Sequence, residues 1–161
     1  MAKTENDKPR PTPEIVNRKA RFNYEILDTW EAGMVLQGHE VKSLRGGGMN
    51  IAEAYVRPGN GEVWLLGAHI TPYSNRGYAV ADPIRPRKLL LNAAEIKKIL
   101  GAVTEKGLTI VPLKVYFHKG RAKILIGLGR GKDKGDKRQT IKTREQNRET
   151  ARDFRAHKIK I

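Results

Sequence analysis

No cysteine occurs among the 161 residues, which excludes disulfides and thiolate metal ligands. A reducing interior suits such a chain, and the cytoplasm is its expected location. No apolar run reaches the roughly 18 residues that a membrane-spanning helix needs. The stretch from Met1 to Pro13 also lacks the apolar core of a secretory signal. Serine appears only at Ser43 and Ser74, neither in a nucleophile-elbow pattern, so serine-hydrolase chemistry has no foothold. The four histidines, His39, His69, His118 and His157, show no metal-ligand spacing. Neither a metal nor any other cofactor is expected. Acidic residues are scarce too: 17 Asp and Glu stand against 32 Lys and Arg, a net charge of +15. That excess repels itself in the free protein and is relieved by a polyanion. RNA phosphate is the leading candidate, and an anionic membrane surface is the other.

What is present falls into three zones. Residues 1–14, with Pro9, Pro11 and Pro13 among polar side chains, form an expected disordered leader. Residues 15–130 hold nearly all the aliphatic and aromatic content and are expected to form one domain. Residues 131–161 are a basic tail in which Ile141, Ala151, Phe154, Ala156, Ile159 and Ile161 are too sparse for a core. Such a tail is expected to be disordered alone and to fold on a partner.

The middle zone reads mostly as strands. Phe22 to Leu27 alternates, and Gly33 to Gly38 with Val41 to Leu44 reads as one long strand bent by a bulge near Gly38. Ala54 to Arg57 and Glu62 to Leu66 flank the turn cluster Pro58-Gly59-Asn60-Gly61, a hairpin. Thr109 to Phe117 and Arg121 to Leu128 flank a second turn, His118-Lys119-Gly120. One helix stands out: Asn92 caps it, Glu95 sits at the capping-box position, and Ile96, Ile99, Leu100 and Val103 make one apolar stripe ended by Gly107. Loosely helical spacing at Ile15, Val16 and Ala20 predicts a second, short helix near residue 15. The fold class expected is therefore mainly β with minor helices, a small closed antiparallel β-barrel of OB-like type, followed by the basic tail.

Two glycine-rich stretches fail as phosphate loops. Gly127 to Lys132 lacks P-loop spacing and a following amphipathic helix, so it reads as a flexible hinge before the tail. Arg45-Gly46-Gly47-Gly48 reads as a mobile basic loop. The one enzyme-like pattern is Asp28 with Glu40-Val41-Lys42, the metal-holding arrangement of a class of Mg²⁺-dependent nucleases. It has no third acidic partner, and the plainer reading puts Val41 inward with Glu40 and Lys42 outward on a strand.

Basic residues cluster at Arg18-Lys19-Ala20-Arg21, at Lys42 and Arg45, and at Arg85-Pro86-Arg87-Lys88. Prolines 72, 83 and 86 hold the segment between them out of regular structure, and its Tyr73, Asn75, Arg76 and Tyr78 suit unpaired bases and backbone. In the tail, helical spacing lines up Lys137, Arg144, Arg148, Arg152 and Arg155, with Glu145 and Glu149 placed to pair at i+3. Arg144 and Arg148 repel at i+4, so free helicity is marginal until a phosphate-lined groove relieves them.

These residues resemble the SsrA-binding protein (SmpB) family. The likeness rests on Asn17-Arg18-Lys19-Ala20, Glu31-Ala32-Gly33, Gln37-Gly38-His39-Glu40-Val41-Lys42-Ser43-Leu44-Arg45, Gly67-Ala68-His69-Ile70-Thr71-Pro72, Arg87-Lys88-Leu89-Leu90-Leu91-Asn92, and Asp136-Lys137-Arg138 with Ile141-Lys142. The resemblance implies an OB-like barrel that binds the tRNA-like domain of transfer-messenger RNA. It implies a tail that becomes helical on a stalled ribosome, along small-subunit rRNA in the empty decoding site and mRNA path. Elongation factor Tu is an implied member of the complex, and no catalysis belongs to the chain itself. The RNA-binding residues carried over are Glu31, Leu91 and Asn92, with Asn17 and Lys19 as neighbours. The tail residues are Asp136, Lys137 and Arg138, with Ile141, Lys142 and Arg144 beyond. Gly135 stands where the family commonly has histidine and Gln146 where it commonly has tryptophan, so weight moves from aromatic stacking to the cations. Against this stand a general RNA chaperone with no preferred RNA and the Mg²⁺ nuclease using Asp28, Glu40 and Lys42.

Overall fold

The structure is a computed structural model that describes residues 12–72, 82–104 and 107–158. In chain order its elements are β1 (Ile15–Val16), α1 (Arg18–Asn23), β2 (Tyr24–Met34), α2 (Gly38–Arg45), β3 (Met49–Asn50), β4 (Tyr55–Gly59) and β5 (Glu62–Leu66). There follow β6 (His69–Ile70), β7 (Arg87–Leu90), α3 (Ala93–Val103), β8 (Leu108–His118), β9 (Arg121–Gly131) and α4 (Lys134–Lys158). The fold is mainly β with a few helices. Tyr73, Asn75, Arg76 and Tyr78, and most of the leader, lie outside the described residues.

Two tight hairpins frame the sheet. Asn60 and Gly61 have φ of 51° and 72°, and Lys119 and Gly120 have φ of 49° and 75°. Both pairs take the left-handed conformations whose twist matches that of flanking antiparallel strands. The β4–β5 and β8–β9 hairpins thus sit where turn chemistry predicts them. The main sheet runs β1-β8-β4-β5-β7-β2-β9, and β9 pairs back on β8, so its six longer strands form a ring. Alternation turns Trp30, Ala32 and Met34 of β2, Val63 and Leu65 of β5, and Ile124 and Ile126 of β9 into one core, against which α3 sets the fully buried Ile99. A second, smaller cluster of Ala20, Val111 and Leu113, with Tyr24, Ile26 and Leu125, lies under α1. Helix α3 begins as predicted: the Glu95 carboxylate accepts from the Asn92 backbone N–H at 3.1 Å.

Several expectations are corrected. The stretch from Gly38 to Arg45 is helix α2, not the continuation of a strand. Its cause is local: Glu40 folds back to accept the Gln37 backbone N–H at 3.0 Å, and Glu40 and Leu44, one helical turn apart, are the residues it buries. Glu40 therefore points inward. Register irregularities fall instead in β2, between Ile26 and Asp28, and in β8, between Pro112 and Lys114. Phe22 and Asn23 close α1, which begins at Arg18; Ile15 and Val16 are strand. Gly127 to Gly131 is not a hinge but the last stretch of β9. Glycine is needed there for close approach, since a Cβ at Gly129 would meet Tyr24 Cβ at 2.9 Å and one at Gly127 would meet Leu113 Cδ1 at 2.9 Å. The Arg45–Gly48 loop is the closing turn of α2, with Gly47 N–H donating to Leu44 O at 2.9 Å. The tail, expected to be disordered alone, is the 25-residue helix α4. It starts two residues after β9, carries Asp136 in its first turn, where negative charge suits the helix dipole, and returns the Thr140 and Thr143 hydroxyls to carbonyls one turn back. The predicted pairs Glu145–Arg148 and Glu149–Arg152 are not formed among the described residues, in keeping with the few tenths of a kcal/mol, about 0.3, that such exposed pairs offer. Among the described residues no helix is long and apolar enough to cross a membrane.

Candidate nucleic-acid interface

Glu31 sits on β2 between the inward Trp30 and Ala32, so alternation turns its carboxylate to the outside of the ring. β7 runs antiparallel beside it with Gly33 opposite Leu90, and carrying that register two residues further sets Asn92 across from Glu31. That register puts Asn92 beside Glu31 on the outer face, whereas Leu91, between Asn92 and the exposed Leu90, turns the other way. Leu91 packs partly against the core, while Asn92 is exposed and caps α3. On the other flank of Glu31, the Tyr116 hydroxyl donates to its Oε2. Burial raises the Tyr116 pKa, and the hydrogen bond to Glu31, the charge of Glu31 and that of Glu14 raise it further, to about 12. The phenol therefore stays a neutral donor at physiological pH. Lys114 lies 5.1 Å from the Tyr116 ring centroid and 3.3 Å from Glu14, extending this polar row. Tyr116 and Lys114 adjoin the candidate site through these contacts, and reading for motifs passes over both. The signal was the alternation in Lys114-Val115-Tyr116, which places both on one face.

Asn17 and Lys19 belong elsewhere, to a cleft between α1, the Ala52–Tyr55 stretch and the Thr109 end of β8. Asn17 is 3% exposed and wholly engaged. Its amide donates to Ile51 O at 3.1 Å and Pro112 O at 2.9 Å, and its oxygen accepts the Ala20 N–H at 3.1 Å. A side chain so occupied ties β8 to α1 and the Ile51 loop and offers nothing to RNA. Lys19 is exposed and paired with Glu53. Asn17→Ala strands two buried carbonyls at about 1–3 kcal/mol each, so a stability loss of about 2–4 kcal/mol is expected, read as a lower urea midpoint. RNA affinity measured where the variant is folded should be unchanged; weaker binding with an unchanged midpoint would return Asn17 to the interface.

The basic run Arg85 to Lys88 is not a free surface. Arg87 is fully buried; its Nε donates to Glu40 Oε2 at 2.7 Å, and its Nη atoms reach Ala68 O at 2.8 Å and Pro83 O at 2.9 Å. Arg85 Nε donates to the other Glu40 oxygen at 3.1 Å, and Lys88 pairs with Glu62 at 2.9 Å. Burial by itself raises the Glu40 pKa, but the Gln37 amide and the two guanidinia outweigh it and hold the group below the ordinary carboxylate value. A carboxylate already neutralised by two guanidinium groups and hydrogen-bonded to the Gln37 N–H would have to give up those partners to hold Mg²⁺. Among the described residues no group of three His, Cys, Asp or Glu gathers to hold a metal. The nuclease pattern is accounted for as a structural clamp.

In the tail, Asp136, Gln139, Thr140, Thr143 and Arg144, with Lys132 just before α4, line a groove of about 440 Å³ against Glu25 of β2. Lys132 Nζ donates to Thr140 Oγ1 at 3.2 Å, and the Arg144 guanidinium lies 6.0 Å from the Phe22 ring centroid. Arg144 thus leans on the body, and Lys137 is half-buried. Arg138, Ile141, Lys142, Arg148, Arg152 and Arg155 face solvent. Gly135 and Gln146 are exposed, leaving positions 135 and 146 without an aromatic ring.

Comparison with known proteins fits this arrangement. The family model described as SmpB protein matches residues 14–156. An SsrA-binding protein of Rhodopirellula baltica is 51% identical over 150 residues, covering 92% of this chain and 85% of its own. That of Solidesulfovibrio magneticus is 51% identical over 142 residues, covering 88% and 92%, and that of Limosilactobacillus reuteri is 47% identical over 152, covering 94% and 97%. A chain in a solved structure described as "tmRNA-SmpB: a journey to the center of the bacterial ribosome" is 50% identical and superposes with a TM-score of 0.64, over 78% of this chain and 87% of that one.

Proposed function

The chain belongs to the SmpB protein family, and from that premise we propose that it binds transfer-messenger RNA and delivers it to stalled ribosomes in trans-translation. The observation that carries this is the half-identical match, over most of both chains, to a protein solved as tmRNA-SmpB. The closed ring with its capped helix α3 is read as an OB-like barrel, residues 15–130, holding the tRNA-like domain through Glu31, Leu91 and Asn92, while residues 1–14 form the leader. Lys19 can join that contact only by leaving Glu53.

Residues 131–161 are read as the ribosomal element. Asp136, Lys137, Arg138, Ile141, Lys142 and Arg144 enter the decoding site, where rRNA phosphates hold α4 helical along the vacant mRNA path. The arginines turned to solvent supply the charge that the site requires. The chain performs no chemistry itself; peptidyl transfer and GTP hydrolysis belong to its partners, with elongation factor Tu joining the complex in the cytoplasm.

Competition binding tests this. At physiological salt, a hairpin with the tRNA-like fold should displace labelled RNA far better than an unrelated duplex of equal length. Equal potency would mark a general RNA chaperone instead. Glu31→Ala should weaken tRNA-like RNA binding by about tenfold to a hundredfold, the worth of one hydrogen bond to a charged group. Unchanged affinity would remove Glu31 from the interface.

A further inference from the structure

We propose that Tyr116 is a positioning residue for Glu31 and that Lys123 completes its contact, the two outer groups taking the 2′-hydroxyl and the phosphate of one ribonucleotide. This rests on the reading of Glu31 as an RNA contact. The geometry comes from three adjacent strands. β9 lies between β2 and β8, with Leu125 opposite Glu31 and Lys123 opposite both Gly33 and Tyr116. These residues share the outer face, because Ile124 and Ile126 between them point into the core. Neighbouring strands are about 4.8 Å apart and two residues along a strand span about 7 Å, so Tyr116 and Glu31 start about 12 Å apart and meet above β9 only because the phenol reaches across it. Lys123 is diagonal to Glu31 on that face, about 7 Å away by usual sheet geometry.

The chemistry follows from which atoms are used. Oε2 of Glu31 is held by the Tyr116 hydroxyl, and Oε1 accepts from no group among the described residues. The Lys123 ammonium has no carboxylate partner among them. A lone carboxylate is repelled by phosphate, but one that shares its charge with a phenol and stands beside a free cation presents an acceptor and a positive donor side by side. A ribonucleotide carries the complementary pair, a hydroxyl donor next to a phosphate, and deoxyribonucleotides lack the hydroxyl.

The test is a double-mutant cycle on the full chain, with a tRNA-like RNA hairpin and its 2′-deoxy counterpart as probes. Tyr116→Phe keeps the ring against Lys114, so its urea midpoint should stay within error of the parent. Its affinity for the RNA should fall about threefold to tenfold. Glu31→Gln with Tyr116→Phe should bind no more weakly than Glu31→Gln alone, and on the 2′-deoxy probe both single losses should vanish. Lys123→Ala should flatten the slope of log K against log salt by about one, which Tyr116→Phe should leave alone. Parent-like binding by Tyr116→Phe, or losses that add in the double variant, would overturn the positioning role while leaving Glu31 an RNA contact. Equal losses on both probes would overturn the ribose assignment. Glu31→Gln binding like the parent would remove the premise and the proposal together.

Discussion

A chain cut after Lys132 is expected to bind tRNA-like RNA as the full protein does, yet to reduce tagging on stalled ribosomes to background. The cut is placed by structure. β9 ends at Gly131, and the Lys132 N–H still closes onto Asn23 O at 2.9 Å, so stopping there preserves the ring. Among the described residues no α4 side chain belongs to either apolar cluster; Phe22 loses its contact with Arg144 and Lys132 its bond to Thr140. What disappears is a row of cations with little to bind in the free protein. If five of them meet rRNA phosphates, they contribute about −3.5 to −4.5 to the slope of log K against log salt for ribosome binding. The cut chain should lose that slope along with tagging. Normal tagging by the cut chain would refute the tail's role. Loss of tRNA-like RNA binding would make the tail part of the other surface.

The largest stability effect should follow Glu40→Ala. It leaves Arg87 buried with no counter-charge and takes the capping carboxylate from Gln37, and breaking a buried pair from one side costs about 3–5 kcal/mol. Because a variant that damaged can fail to accumulate folded, Glu40→Gln is the companion, keeping the shape while removing the charge. Its deficit should depend on pH in a definite direction. The Glu40 pKa is lower in the folded protein than its ordinary 4.5, so the ionised group stabilises the fold above that value, and the stabilisation is lost as pH falls through the folded pKa. The gap in urea midpoint between parent and Glu40→Gln should therefore be widest near neutrality and narrow on acidification below about 4.5. A gap that is constant with pH would mean that folding leaves the Glu40 pKa unshifted, and a gap that widens on acidification would mean that the carboxyl is held neutral in the fold.

Local chemistry made much of the architecture legible. Asn60-Gly61 and Lys119-Gly120 announce their hairpins, and Asn92 with Glu95 announces α3, because turns and caps are decided within a few residues. Helix α2 was not legible for the opposite reason. Val41 and Leu44 fit a strand or a helix equally well over so short a run, and its cap uses glutamine rather than the usual serine, threonine or aspartate. At the candidate interface, strand register sets Asn92 beside Glu31, while Leu91 turns toward the core. Asn17 does not join them, because an amide that clamps buried carbonyls is the same residue type as one that contacts RNA. The Arg85–Lys88 run looks like a cationic patch until Glu40, 45 residues away from Arg85, is seen to neutralise it. Tyr116 and Glu31 are 85 residues apart, and only strand register joins them.

The closed sheet has a consequence for the unbound protein. A strand with one free side is a template on which a second copy can add, and stacks of such copies become fibrils. Here β2, β4, β5, β7, β8 and β9 each have a neighbour on both sides, and although β7 pairs with only Gly33 and Met34 of β2, ring closure shortens the edges on which a copy could add. A charge of +15 also keeps copies apart, so ring closure and like-charge repulsion act together against self-association of the unbound protein.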